Sequence, residues 1–295
     1  MARRKPLKSL TLSAAAQGLR LVPGSAALKW KRDLRDASWL PDADIVLISF
    51  PKSGRTFVRA MLARLFQRKF GIDERTLLDF PTLRRASAEV PRLLVTHAGD
   101  AMRETDEIRV DETHYRHCRV ALLARHPGDV AVSRYHHLKH RSRDKGRQKL
   151  ADQPLDAFVW DAKGGIPAIV KYLNEWAGLS RKGLPVTIVR YEDFLIEPQK
   201  TLGELASAVG LTVDADDLAD AVEFAKFRNL KQRESEGYFK SSRLRQAKRG
   251  DERSSKVRAG GSGGYRVRLG EVEAKRIDAY IRDHLDPVFG YSAAG

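Results

Sequence analysis

The chain has 295 residues, of which 42% are hydrophobic, enough for one large α/β core or two modest ones. Its single cysteine, Cys118, excludes an intrachain disulfide framework and a cysteine-rich zinc site, and suits a reducing compartment. Lysine and arginine (54) exceed aspartate and glutamate (38) by 16, so we expect an acidic ligand, a nucleic acid or an anionic membrane surface as partner.

The positive charge is concentrated at the N-terminus. Residues 1–35 hold nine lysine and arginine residues and one acid, Asp33. No stretch of the chain approaches the roughly 18 apolar residues of a membrane span. We therefore predict a basic arm over residues 1–41, mobile or lying on a surface, with peripheral contact to an anionic membrane as one of its roles, and a folded domain over residues 42–295.

Short apolar runs alternate with longer helical patterns along that domain. The runs are nearly continuous and of strand length, which is typical of strands buried on both faces; they lie at 45–50, 92–97, 119–125 and 186–191. Helical periodicity predicts helices at 57–66, 127–138, 155–179, 198–209, 216–227 and 271–285. This alternation predicts an α/β fold of three layers with a mostly parallel central sheet.

The segment PKSGRT, residues 51–56, falls where the first strand ends and a helix begins. Backbone N–H groups at a helix start lack intrahelical partners and the helix dipole is positive there, so a tetrahedral anion binds well. Lys52 supplies a point charge, Ser53 and Thr56 supply hydroxyl donors, and Gly54 allows close backbone approach. The ordinary alternative is a helix cap that happens to contain a lysine.

Polar residues also follow the other predicted strands. Arg125 ends one strand and Ser133 follows eight residues later on the next helix, while Tyr191 and His97 end two more strands. Each has an ordinary explanation alone: a surface ion pair, a half-buried ring or a neutral core histidine. Because ligands of parallel sheets bind at the carboxyl ends of the strands, their joint occurrence favours one shared site.

These segments resemble motifs of the sulfotransferases that use 3′-phosphoadenosine 5′-phosphosulfate (PAPS). FPKSGRTF resembles the P-loop-like phosphosulfate loop of that family, and ARHPGDVAVSRYHH resembles its 3′-phosphate-binding segment. YEDFLIEPQKTLGELASAVGL resembles the strand and helix that follow, and VRAGGSGGYR resembles the C-terminal glycine-rich loop. The resemblance covers about residues 42–290, so the predicted domain is a sulfotransferase domain. It implies the fold, the donor and the transferred group, but not the acceptor.

The resemblance also implies a role for particular positions. The 5′-phosphosulfate would be held by Lys52, Ser53, Gly54, Arg55 and Thr56. The 3′-phosphate would be held by Arg125, Ser133 and Arg258, with Ala259 and Gly260 in the C-terminal loop. The adenine would be contacted by Tyr191 and sandwiched between Phe57 and Phe227. The catalytic residues would be Lys52, Ser133 and His97, the last as general base.

Four positions depart from the family pattern. Phe57 replaces a tryptophan and keeps the stacking surface, losing only an N–H donor. Arg55 replaces a threonine, Val95 replaces a second lysine that faces the sulfuryl group, and Ala259 replaces a lysine of the C-terminal loop. We interpret Arg55 as a candidate source of the charge that Val95 lacks.

The chemistry can be argued from the residues themselves. Sulfuryl transfer passes through a loose, in-line transition state, so the protein mainly orients the reactants and neutralises the leaving group. Lys52 suits that role at the bridging oxygen, and His97 suits removal of a proton from an acceptor hydroxyl or amine. The single negative charge of the sulfuryl group needs no metal, and none is expected.

Two other functions stay open from the sequence: a nucleic-acid or anionic-membrane binding protein, supported by the net charge, and an ATP-dependent phosphotransferase using the same anion loop. We expect nucleic acid to be the less suitable partner. The acceptor is expected to be a small molecule, a saccharide or a lipid-linked compound, and the location cytoplasmic, with or without peripheral membrane contact.

Overall fold

A parallel sheet organises the chain. The computed structural model describes residues 36–98, 103–142, 148–241, 244 and 261–291. Within these residues the sheet has the order β2-β1-β3-β4, built from β1 (Ile45–Ile48), β2 (Leu93–Thr96), β3 (Arg119–Ala124) and β4 (Val186–Arg190). Every pairing is parallel. The four predicted strands are confirmed, each somewhat shorter than its apolar run.

Helices connect and cover the strands. They are α1 (Arg55–Phe70), α2 (Phe80–Arg85), α3 (Pro127–Arg141), α4 (Leu155–Phe158), α5 (Ile166–Arg181), α6 (Asp193–Ile196), α7 (Pro198–Ala208), α8 (Ala215–Ala225), α9 (Phe227–Ser235), α10 (Gly264–Leu269) and α11 (Glu271–His284). Among the residues that the structure describes, none of the helices has the length and apolar character needed to span a bilayer.

β1 and β2 are buried at every residue and β3 at every residue but Arg119, because helices cover both faces of the sheet there, which makes the fold three-layered. The edge strand β4 is only partly buried, with Thr187 exposed, so the prediction of a fully buried strand at 186–191 is wrong. Val46 and Ile48 of β1 belong to a core that contains Trp176 of α5. Ile45 and Leu47, the alternate residues, belong to a second core that contains Leu62 of α1. Successive strand side chains point to opposite faces, so continuous apolar runs are what a doubly covered sheet requires. The predicted three-layer α/β fold is confirmed.

Two predicted helices are interrupted. The pattern over 155–179 breaks between α4 and α5, where Gly164 has φ +91° and the Arg134 guanidinium lies 2.3 Å from the position a Cβ would take. The pattern over 216–227 ends one helix at Ala225 and begins another at Phe227, because Lys226 is extended (φ −49°, ψ 141°). The apolar periodicity continues through both breaks, so it did not reveal them.

The strand order places the polar strand ends together. From β1 the chain goes to β2 on one side and then to β3 on the other, so the order reverses between β1 and β3. Ligands of such sheets bind in the crevice outside the carboxyl ends at this reversal. The segment after β1, His97 after β2, Arg125 after β3 and Tyr191 after β4 all lie at that edge.

Truncation of Leu62 tests the packing of α1 on the sheet. Leu62 is fully buried, so Leu62→Ala should lower the free energy of unfolding by about 2–5 kcal/mol, through lost burial and the cavity left behind. The matched control is Val272→Ala, at a valine that is 86% exposed, which should change it by less than about 0.5 kcal/mol. Urea unfolding measures both, and equal effects would contradict the described packing.

Candidate active site

The turn after β1 holds the backbone in an unusual conformation. The Ser53 N–H donates to the Phe50 carbonyl at 3.3 Å, and Ser53 is buried. Lys52 has φ +82° and Gly54 has φ +86°. A positive φ at a lysine is strained, and such strain is retained mainly where the surroundings over-determine it, often at functional sites. The turn leads directly into α1, whose first residue is Arg55.

Gly54 is required for a second reason. A Cβ at this position would lie 2.2 Å from Cδ2 of Tyr191, inside the ring's van der Waals surface. Tyr191 is itself buried, and burial raises the pKa of its hydroxyl, so it stays a neutral phenol. The end of β4 therefore packs directly on the backbone of the turn after β1.

Arg125 connects three segments of the site. Its guanidinium carbon lies 4.4 Å from the centroid of the Tyr191 ring. Nη1 donates to the Lys52 carbonyl at 3.2 Å, and Nη2 donates to the Gly261 carbonyl at 2.9 Å. The ends of β3 and β4, the turn after β1 and the C-terminal segment thus meet at one guanidinium.

Asp129, on the first turn of α3, holds the C-terminal segment from the other side. Its buried carboxylate accepts N–H bonds from Gly263 at 2.8 Å and Tyr265 at 3.1 Å, and lies 3.9 Å from Nη2 of Arg125. Ser133 is half-buried and lies four residues further along α3. Residues four apart share a helix face, so Ser133 is on the face that Asp129 presents to Arg125.

A packed aromatic pair supports the start of α3. The rings of His126 and Tyr265 stack with centroids 4.6 Å apart, and a Cβ at Gly128 would lie 2.8 Å from the Tyr265 ring. Burial lowers the pKa of His126, whose Nδ1 accepts the Gly128 N–H at 3.3 Å. The Glu192 carboxylate, after β4, accepts a hydrogen bond from the backbone N–H of His126 at 3.0 Å and another from the Tyr291 hydroxyl at 2.6 Å.

His97 is held by bonds to both ring nitrogens. Nδ1 lies 2.7 Å from the Ser49 carbonyl oxygen, and Nε2 lies 2.7 Å from Nη2 of Arg55. The Tyr172 hydroxyl donates to the His97 carbonyl at 3.0 Å. A carbonyl only accepts and a guanidinium only donates, so the geometry fits the neutral ring with its proton on Nδ1 and its lone pair on Nε2.

The predicted aromatic residues lie in different surroundings. Phe57 is half-buried and contacts Tyr191 and Phe194 edge-on, with centroids 6.1 Å and 6.3 Å apart. Phe227 begins α9 with 42% of its surface exposed, so its ring is accessible to a ligand. Thr56 is half-buried in the first turn of α1.

Some predicted site residues lie outside the described residues: Arg258, Ala259 and Gly260. Asp129 and Tyr265 were missed from the sequence, although both lie inside quoted motifs. An acid in the first turn of a helix is an ordinary helix signal, and only the tertiary structure shows it binding N–H groups about 135 residues away. Among the described residues, no group of three or more His, Cys, Asp and Glu side chains is arranged to hold a metal.

Comparison with known proteins finds a family whose model matches most of the chain. The family model described as the sulfotransferase domain matches residues 42–289. Cytosolic sulfotransferase 3 of Arabidopsis thaliana is 23% identical over 254 residues, covering 83% of this chain and 77% of that protein. A crystal structure of mouse sulfotransferase SULT7A1 complexed with PAP has a TM-score of 0.57 and 18% identity, covering 82% of this chain and 84% of that chain. A retinol dehydratase structure with androsterone and the inactive cofactor PAP has a TM-score of 0.58 and 16% identity, covering 86% and 85%.

Alanine at Gly54 tests whether the turn depends on its contact with Tyr191. Gly54→Ala adds the strain of a left-handed alanine, about 1–2 kcal/mol, and a clash with the ring, which costs about 1–3 kcal/mol more. The matched control is Gly71→Ala at the other end of α1, where φ is +68° and a Cβ would meet nothing within 4 Å. Chemical unfolding should show the larger loss at Gly54, and equal losses would contradict the packing described.

Proposed function

The chain belongs to the sulfotransferase domain family, and on this premise we propose that it transfers the sulfuryl group of PAPS to a hydroxyl or amine acceptor. The proposal rests on the positively charged and N–H donor groups that converge at the start of α1. Lys52, the first-turn N–H groups of α1 and the nearby Arg125 guanidinium offer positive charge around one point at the carboxyl edge of the sheet. The fold likeness to two PAP-bound structures supports this choice of ligand.

The described residues fit such a donor. Gly54 allows the turn to pack against the Tyr191 ring, and α1 begins with no acidic residue in its first turn to compete with an anion. The 5′-phosphosulfate would be held by Lys52, Ser53, Gly54, Arg55 and Thr56, and the 3′-phosphate by Arg125 and Ser133 together with Arg258. The adenine would be contacted by Phe57, Tyr191 and Phe227, and Ala259 and Gly260 would belong to the C-terminal phosphate-binding loop that the resemblance implies.

The reaction would be an in-line displacement at sulfur. A bond forms between the acceptor oxygen or nitrogen and sulfur, the bond from sulfur to the bridging oxygen breaks, and its electron pair stays on the phosphate oxygen. Lys52 would neutralise that oxygen, and His97 would take the acceptor's proton at Nε2. Ser133, on the face of α3 near Arg125, would hold the 3′-phosphate and so help to position the donor for transfer.

The acceptor and location are narrower proposals. A small molecule, a saccharide or a lipid-linked compound would suit the site, and labelled PAPS with a panel of these classes is the direct screen. The relatives named cytosolic sulfotransferases support a cytoplasmic location. Contact of the basic N-terminal arm with an anionic membrane is a prediction from its charge, since residues 1–35 lie outside the described residues.

Nucleotide preference is the first test of the proposal. The protein should bind 3′,5′-adenosine bisphosphate about a hundredfold or more tightly than 5′-AMP, since each charge-assisted bond to the 3′-phosphate contributes about 1.5–3 kcal/mol. Arg125→Ala should erase most of that ratio. Arg125 also donates a hydrogen bond to the Lys52 carbonyl, so the substitution should weaken the binding of both nucleotides. The ratio of their two dissociation constants, measured by titration calorimetry, therefore isolates the contribution of the 3′-phosphate.

The control is Arg116→Ala, an exposed arginine that pairs with Glu112 away from the site and should leave the ratio unchanged. Equal affinities of the wild type for the two nucleotides would contradict the PAPS assignment. Tight binding of a duplex oligonucleotide in preference to the bisphosphate would favour the nucleic-acid alternative, and magnesium-dependent turnover of ATP would favour a phosphotransferase.

The role of His97 is tested once an acceptor is found. His97→Asn should lower kcat by about 10²-fold or more while donor affinity stays within a few-fold of wild type, because the base acts in the chemical step. Steady-state kinetics and calorimetry with the bisphosphate give the two readings. A parallel loss of donor binding and turnover would assign His97 to structure rather than to proton transfer.

A further inference from the structure

The contact between Arg55 and His97 involves the atom that the proposed reaction needs. The Ser49 carbonyl accepts a hydrogen bond from Nδ1–H of His97, so the lone pair that can receive a proton is on Nε2. That lone pair already receives an N–H of Arg55 at 2.7 Å. An acceptor hydroxyl cannot donate to the same lone pair while this bond exists, so Arg55 must move before His97 can act as a base.

The position of Arg55 supplies a reason for it to move. It is the first residue of α1, where a cation adds to the positive end of the helix dipole, and Lys52 lies three residues before it. Positive charge at that point attracts an anion that approaches the start of the helix. A sulfuryl group held at the start of α1 would provide one within reach of the same guanidinium.

Val95 makes this role of Arg55 more specific. Val95 lies on β2 and is buried in the core on the α1 side of the sheet, together with Leu47 and Leu62. A valine there offers the sulfuryl group no charge. Arg55 lies at the same edge of the sheet and already contacts His97, two residues after Val95.

We propose that Arg55 is a positioning residue that makes the base available only when the donor is bound; this rests on the proposed function above. Without donor, Arg55 fixes the neutral tautomer of His97 and covers Nε2. With donor bound, its guanidinium donates to the sulfuryl oxygens, and Nε2 is open to the acceptor. The exchange replaces an N–H···N bond by an N–H···O bond, and the proton on Nδ1 stays in place.

Two consequences follow for the reaction. The acceptor binds productively only after the donor, because its proton has no free base before that. In the donor-free enzyme, the bond from Arg55 also shields Nε2 of His97 from water and other proton donors. Both consequences rest on the exposure of Nε2, which does not depend on the identity of the acceptor and can be examined with donor nucleotides alone.

The test uses Arg55→Met, which keeps an unbranched side chain but cannot donate. In full-length protein, the ¹⁵N resonance of His97 Nε2 should move to the position of a free imidazole nitrogen in this variant. Carbethoxylation of His97 by diethyl pyrocarbonate, read by peptide mass spectrometry, should become about tenfold faster, since the reagent needs that lone pair. Arg68→Met on the same helix, which removes a pair with Asp217 far from the site, is the control and should change neither reading.

The donor nucleotides test the second half. In the wild type, PAPS should move the ¹⁵N resonance of His97 Nε2 to the position of a free imidazole nitrogen. 3′,5′-adenosine bisphosphate lacks the sulfuryl group and should leave this resonance unchanged. An unchanged Nε2 resonance in Arg55→Met would overturn the proposal, and so would an equal response to the two nucleotides. The donor-free comparison does not need nucleotide binding, so failure of the PAPS assignment in calorimetry would be recognised separately.

Discussion

The Arg125 guanidinium is the interaction on which the rest of the site depends. It stacks on Tyr191 and donates to the carbonyls of Lys52 and Gly261, so three segments from distant parts of the chain share one side chain. A planar group with several fixed donors suits this task better than a lysine, whose ammonium has three donors but no flat face to place against a ring. The same planar face and donors make Arg125 well suited to a phosphate.

The second constraint is charge at the start of α1. Lys52 is held at a positive φ, Gly54 is pressed against a ring, and Arg55 opens the helix where cations are unfavourable. Each is costly in the protein alone. The proposed donor would offset both the conformational strain and the electrostatic repulsion, because its anionic groups would bind at this point. The carboxylate of Asp129 is used elsewhere, to hold the C-terminal segment.

Family membership accounts for the fold of the chain, whereas the local geometry describes the contacts around His97. The family model spans most of the chain, whereas the solved structures share 16–18% identity and therefore establish the fold. The sequence resemblance implies that Arg55 and Val95 are departures from the family pattern. Both lie at the carboxyl edge of the sheet, and the Arg55 guanidinium contacts His97, the proposed base, directly. The proposed chemistry would therefore depend on a pair of residues that the shared fold does not dictate.

The sequence by itself determined the four strands, the burial of β1, β2 and β3 on both faces, and the edge at which Lys52, His97, Arg125 and Tyr191 lie, because apolar patterns are local and parallel topology follows simple rules. Only the tertiary structure decided the packing of Arg134 against Gly164 and the bond between Arg55 and His97, which are 42 positions apart. The physical reason is the same in both cases. These contacts depend on where two distant segments meet in space, and no periodicity within either segment encodes that distance.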